Sequence, residues 1–315
     1  MVSRYSLILL LGFFLIGCRP ATPPPTPAPV VDAASPAESV FNTPDIPTQT
    51  PPLTDISAEQ VRNARYELGA ADIPRTVALV EGIYQEGAAG SADFLEVRAT
   101  DFIASGDLDG DGVHEAVTLI SETYGGSGVF VFLAVYFEQQ DAAVFRASVF
   151  VDDRPQINAI SIEQNEIFLD ATLHRMDEPE CCPTLRTTRH YRFINDQLDM
   201  SEFTTFTPDG RPRSITIESP ENGAEVFSSV QIKGTVAVAP FENNLAYSIE
   251  DAGGVELARG AISVSAPEAG APGAFETVIS LGSILSGAVI RLEVQDISAE
   301  DGSLFAMDSV ELVVK

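Results

Sequence analysis

Nine residues, Asp-Leu-Asp-Gly-Asp-Gly-Val-His-Glu at 107–115, crowd four carboxylates and two glycines into one short stretch. Oxygen donors at alternate positions are the ligand set that calcium takes, and a glycine at the sixth position of such a loop permits its sharp turn. Counted from Asp107, carboxylates fall at positions one, three and five (Asp107, Asp109, Asp111), Gly112 at six, the Val113 carbonyl at seven and Glu115 at nine. Like charges folded into one turn repel unless a cation or backbone donors compensate. The spacing therefore predicts a structural calcium ion, held with the weak affinity of extracellular modules, about 10⁻⁴–10⁻³ M. A helix–loop–helix site would put a bidentate Glu at position twelve, where Thr118 stands, and Glu115–Ser121 reads as strand. The competing reading is a tight turn in which the Asp-Gly pairs only supply hairpin geometry.

The second group with chemistry is a pair of adjacent thiols, Cys181 and Cys182, ahead of Pro183. In an oxidising compartment their one intramolecular option is the eight-membered vicinal disulfide, which is expected here and would lock a turn in the His174–Arg186 connection. The alternative is redox exchange or capture of a soft metal with His174 or His190, although no Cys-x-x-Cys spacing supports it. The histidines, His114, His174 and His190, lie far apart, and alternation around His190 predicts a sheet-face position. No Gly-x-Ser-x-Gly elbow, phosphate loop or dinucleotide fingerprint is present. The glycine-rich Tyr124–Phe130 reads as a hairpin connection rather than a phosphate cradle. A non-catalytic protein is expected, the alternative being an extracytoplasmic enzyme or a redox or metal-handling protein built on the acidic loop or the cysteines.

The elements that must position these groups are mostly strands. Ser57 and Gln60 stand in capping-box relation, and Val61, Ala64 and Leu68 share a face, which predicts a short amphipathic helix over 57–68. After Gly69 the pattern becomes alternating or continuously apolar, in segments bounded by Gly, Asn, Asp or Pro. Gly128–Phe137 is apolar on both faces and reads as a central strand. Residues 55–206 are therefore expected to form an α+β domain dominated by an antiparallel sheet. A Pro/Gly cluster at 207–213 reads as a linker. Some seven alternating runs over 214–315 predict an immunoglobulin-like β-sandwich.

The first seventeen residues carry Arg4 and an apolar run too short to span a bilayer, the pattern of a signal peptide. Leu15-Ile16-Gly17-Cys18 resembles the bacterial lipobox, which implies cleavage before Cys18 and a diacylglycerol on its sulfur. Residues 18–54 hold eleven of the 21 prolines and read as a disordered tether. Extended at roughly 3 Å per residue, it would reach on the order of 100 Å. The expected location is thus the cell membrane or outer membrane, lipid-anchored and outside the cytoplasm. A formal net charge of −28 excludes nucleic acid as a partner. The partners expected are the membrane, through the N-terminal lipid, and another envelope protein or cell-wall polymer.

Three resemblances add to this. The acidic loop resembles the Asp-rich loops set between strands in integrin-type repeats, present here in one copy. Ser105–Ile120, Gly125–Phe137, Asp152–Ile162 and His174–Phe193 resemble bacterial lipoproteins of the LppP/LprE type, which implies an envelope location. Ser219–Val236, Tyr247–Gly260, Gly273–Leu281 and Ala299–Val314 look like the immunoglobulin-like domain of bacterial spore-germination proteins, which implies an extracytoplasmic interaction module.

Overall fold

The computed structural model describes residues 56–315 apart from positions 72, 180 and 283. The signal peptide, Cys18 and tether expected over 1–54 lie outside the described residues. Among the described residues no helix is long and apolar enough to cross a membrane.

The expected helix over 57–68 is confined to α1, Ala58–Arg62. Its capping box forms: the Gln60 N–H donates to Ser57 Oγ at 3.2 Å, and the Ser57 N–H to Gln60 Oε1 at 2.7 Å. Beyond it the chain turns to strand β1 (Arg65–Glu67), paired antiparallel with β2 (Thr76–Ala78). Val61, Ala64 and Leu68 suit a helical period, but Ala64, Tyr66 and Leu68 suit a two-residue period equally. Tyr66 decides between them, because a continued helix would carry it about 150° away from the apolar stripe, whereas β1 buries it fully.

A five-stranded antiparallel meander follows: β3 (Ile83–Glu86), β4 (Leu95–Gly106), β5 (Glu115–Thr123), β6 (Phe130–Gln139) and β7 (Ala142–Asp153). A second meander comprises β8 (Gln156–Glu163), β9 (Glu166–Leu173), β10 (Leu185–Ile194) and β11 (Gln197–Phe206). The first sheet is covered on both faces, which is why β6 is apolar from Phe130 to Phe137 and β5 buries apolar side chains on both sides. Ala116, Ile120, Ala134 and Tyr136 face α1 and the β1–β2 ribbon. Val117, Leu119, Leu133 and Val135 meet Ile167, Leu169, Tyr191 and Leu198 of the second sheet. Of the α+β expectation for 55–206, the dominant antiparallel sheet is present and the α part is slight: this part is nearly all β, its helix being five residues long.

Buried Glu122 ties the ribbon to the first sheet. Its Oε1 accepts from the Tyr66 hydroxyl at 2.6 Å and the Gly69 N–H at 2.7 Å, and its Oε2 from the Tyr124 hydroxyl at 2.5 Å and the Ala70 N–H at 3.2 Å. Burial and the adjacent carboxylate push both tyrosine hydroxyls well above their ordinary range, so they remain donors.

Residues 207–213 form a tight turn that leads into β12 (Pro212–Arg213), paired back onto β11. The C-terminal strands are β13 (Ile215–Ser219), β14 (Ala224–Val226), β15 (Ser229–Val236), β16 (Asn244–Asp251), β17 (Glu256–Ser265), β18 (Gly273–Ser280), β19 (Val289–Ile297) and β20 (Leu304–Val314). They form a β-sandwich. One layer is β13-β15-β18 and the other β16-β19-β20, with β17 crossing from the second to the first at Val264. Ile232, Ile249, Leu292 and Leu312 are among its fully buried core.

The second layer continues into the middle domain. β20 pairs with β11 through Glu202–Asp308, Phe203–Met307 and Thr204–Ala306, so one sheet runs from the sandwich to β8. The Thr205 hydroxyl donates to the Phe305 carbonyl at 2.7 Å and the Ser309 hydroxyl to the Ser201 carbonyl at 3.0 Å.

Candidate metal centre

β4 ends at Gly106 and β5 begins at Glu115, so the acidic stretch is the connection between two paired strands. Gly110 and Gly112 have φ of +81° and +87°, a backbone region that glycine enters without strain. The loop folds around the Asp107 carboxylate, which accepts from the Gly110 N–H at 2.6 Å and the Gly112 N–H at 3.0 Å. Asn165, on the β8–β9 turn, donates to the Asp107 carbonyl at 2.9 Å and fastens the loop to the second sheet.

This fold brings three of the sequence-predicted ligands together. Carboxylate oxygens of Asp107, Asp109 and Glu115 lie within 4.8 Å of one another. Asp111 is outside that set: its Oδ1 accepts the Val113 N–H at 2.7 Å. Glu115 is only 2% exposed, and its Oε2 takes the Leu108 N–H at 2.7 Å. Burial, opposed by that hydrogen bond and reinforced by repulsion from Asp109, Asp111 and Asp107, pushes its carboxyl up to about 7.

Unit charges at this separation repel by about 3 kcal/mol per pair at an effective dielectric near 20. A proton on Glu115 relieves that repulsion, and so does a divalent cation. The donors are all hard oxygens, one of them buried and fixed at a strand end, a set that fits calcium. Thr118, where a bidentate Glu would have stood, is buried in β5 and donates its hydroxyl to the Phe102 carbonyl at 3.1 Å.

The other candidates lie apart from this loop. Cys181 and Cys182 are exposed free thiols with Sγ atoms 3.0 Å apart, so the expected vicinal disulfide is not formed in this structure. The hydrogen bond that the Cys182 thiol donates to Cys181 raises it above its ordinary range, the reverse of what a reactive thiolate needs. His190 lies on β10, with Nδ1 3.2 Å from Glu166 and its ring edge-on to Phe168. Asp152 Oδ2 accepts both the His174 backbone N–H, at 2.8 Å, and its Nδ1, at 3.1 Å. Sequence reasoning missed this Asp152–His174 pair and the Glu122 anchor, because each joins residues distant in the chain with no fixed spacing.

Residues 214–303 match the family model of the immunoglobulin-like domain of bacterial spore germination. The matched segment runs from β13 into the β19–β20 turn, so it covers most of the C-terminal sandwich but neither β20 nor the middle domain. No curated protein matches the chain.

Proposed function

We propose that this chain is a lipid-anchored, extracytoplasmic, non-catalytic protein whose C-terminal β-sandwich binds another envelope protein or a cell-wall polymer. Acylated Cys18 supplies the anchor, and a calcium ion on Asp107, Asp109 and Glu115 stiffens the middle domain. Asp111 and the Val113 carbonyl are the remaining oxygens that the sequence offers the ion.

The observation that carries the binding role is the immunoglobulin-like identity of residues 214–303. Supporting it, the sandwich leaves large apolar side chains in water. Phe227 is 67% and Leu285 79% exposed. They stand on neighbouring connections, which the Leu281 N–H to Ser228 carbonyl bond of 2.9 Å holds together. Exposed apolar groups gathered on adjoining loops are a common mark of a contact surface.

The test is cross-linking in intact cells with the full chain and with a Phe227→Ser/Leu285→Ser variant. Loss of recovered partners in the variant supports the sandwich as the binding part; undiminished recovery moves that role to the middle domain. Metabolic labelling with a fatty acid checks the anchor, and incorporation that survives Cys18→Ser would refute it.

A further inference from the structure

A cleft of about 780 Å³ lies where the middle domain meets the sandwich. One wall is formed by Leu173, Arg189, Met200 and Phe203, and the other by Leu304 and Phe305. This is the size of a small-molecule site, and junctions between domains are where such sites are common. The junction here is fixed by continuous strand pairing between β11 and β20.

The cleft has a charge without a partner. Arg189, on β10, is partly buried and stacks over the Phe203 ring at 5.4 Å. Its Nη1 donates to the Val151 carbonyl at 3.3 Å and the Tyr191 hydroxyl at 3.2 Å, both long bonds, and its buried Nε has no hydrogen-bond partner. Arg213 and Arg291 also bury an unpartnered Nε, but each has a carboxylate: Asp296 at 3.2 Å for Arg213, and Glu293 at 3.1 Å for Arg291. No carboxylate pairs with Arg189 among the described residues. Beside it the buried Nε2 of His174 is also without a partner, Nδ1 being turned to Asp152. A partly buried guanidinium is costly unless an anion accompanies it, and in a chain of net charge −28 this pairing is missing where acids are plentiful.

We propose that the cleft binds a small carboxylate with an apolar body, its oxyanion on the Arg189 guanidinium and its hydrocarbon part against Leu173, Met200, Phe203 and Phe305. A planar guanidinium matches a carboxylate in geometry as well as charge. The carboxylates at the mouth, Asp177, Glu300 and Asp301, act against free anions such as phosphate, which lack apolar surface to offset that repulsion.

The protein has no tryptophan, so Met176→Trp in the full chain places a single indole at the mouth of the cleft, on a residue that is 77% exposed. Titration with 3-phenylpropionate should change its fluorescence saturably, and 3-phenylpropionamide should bind at least about tenfold more weakly. Adding Arg189→Gln should reduce the acid's affinity to that of the amide, with the melting curve retained, and Arg189→Lys should restore part of it. Equal affinity for acid and amide, no saturable change with either, or undiminished binding by folded Arg189→Gln would each overturn the proposal. If Arg189→Gln does not fold, the acid–amide comparison with Arg189 intact still decides.

Discussion

Replacing Glu122 by glutamine should destabilise the protein far more than the change of one atom suggests. The carboxylate is 0% exposed and accepts four hydrogen bonds, two at each oxygen. An amide has one acceptor oxygen. If it faces Tyr66 and Gly69, its NH₂ is aimed at the Ala70 N–H; if it faces Tyr124 and Ala70, its NH₂ is aimed at the Gly69 N–H. A tyrosine hydroxyl can turn and accept, but a backbone N–H cannot, so either orientation orphans one part-buried donor, at the lower end of about 1–3 kcal/mol. The two retained bonds fall from charged to neutral strength, roughly 1 kcal/mol each. Relief from burying a charge offsets part of this, leaving about 3 kcal/mol, or about 6–12 °C in Tm for a structure of this size. Tyr124→Phe, which removes one donor and leaves three, should cost about 1 kcal/mol. Calorimetric melting of the three proteins decides. A Glu122→Gln Tm within about 1 °C of the parent, or no difference between the two variants, would refute the four-donor account.

Calcium at 10 mM acting on a site with Kd of about 10⁻³ M should stabilise by about 1.4 kcal/mol, or roughly 3–5 °C, with magnesium giving less; Asp109→Ala should abolish the shift, and a parent protein indifferent to calcium would sink the site. Asp308, at the domain junction, has its carboxyl pushed up to about 6 by burial and by Glu202, against hydrogen bonds from the Ile217 and Ser309 N–H groups and the nearby Arg192. Its folded value lies above its unfolded one, so the folded state binds the extra proton and stability falls as pH rises from about 4 to 6, by on the order of 3 kcal/mol at most. Tm profiles over that range should be flatter for Asp308→Asn than for the parent, and parallel profiles would exclude the assignment. Oxidised glutathione, which takes up two electrons and two protons from the thiols, should close Cys181 and Cys182 into a disulfide. Intact mass after alkylation should then show neither thiol modified, and two adducts would contradict this.

What the sequence made legible follows from how local each signal is. The capping box of Ser57 and Gln60 is set within four residues and forms as read. The two-faced apolarity of β6 reports burial between layers directly, and the alternating runs after 214 belong to a domain of the expected immunoglobulin-like type. The helix over 57–68 failed beyond Arg62 because two periods fit the same small apolar set, and the residue separating them, Tyr66, packs edge-on to Phe145 and bonds Glu122, 56 positions away. Loop spacing brought Asp107, Asp109 and Glu115 together as read. Spacing alone did not distinguish Asp111, which lies outside that set, from Asp107, which lies inside it although both its oxygens accept backbone N–H groups.

The Pro/Gly cluster at 207–213 lies just before the residues that match the immunoglobulin-like family, yet it does not part the two sheets. Such clusters mark where a chain reverses, and reversal is often separation, but here β12 folds back onto β11 and β20 pairs with its neighbouring residues. The side chains at the junction are chosen for one another. Arg291 donates to the Met200 carbonyl, Arg192 to the Ser309 carbonyl at 3.3 Å, and the Thr205 and Ser309 hydroxyls reach carbonyls across the seam. Pulling the domains apart would orphan these donors and open a strand edge on both sides, and each orphan costs about 1–3 kcal/mol where it stays buried. The two domains therefore behave as one cooperative body, and the cleft between them keeps its shape without a ligand to close it. Cutting the chain near Asp209 would remove the partner of β11 along with the sandwich, so the roles of the two domains have to be separated by point substitutions in the full chain.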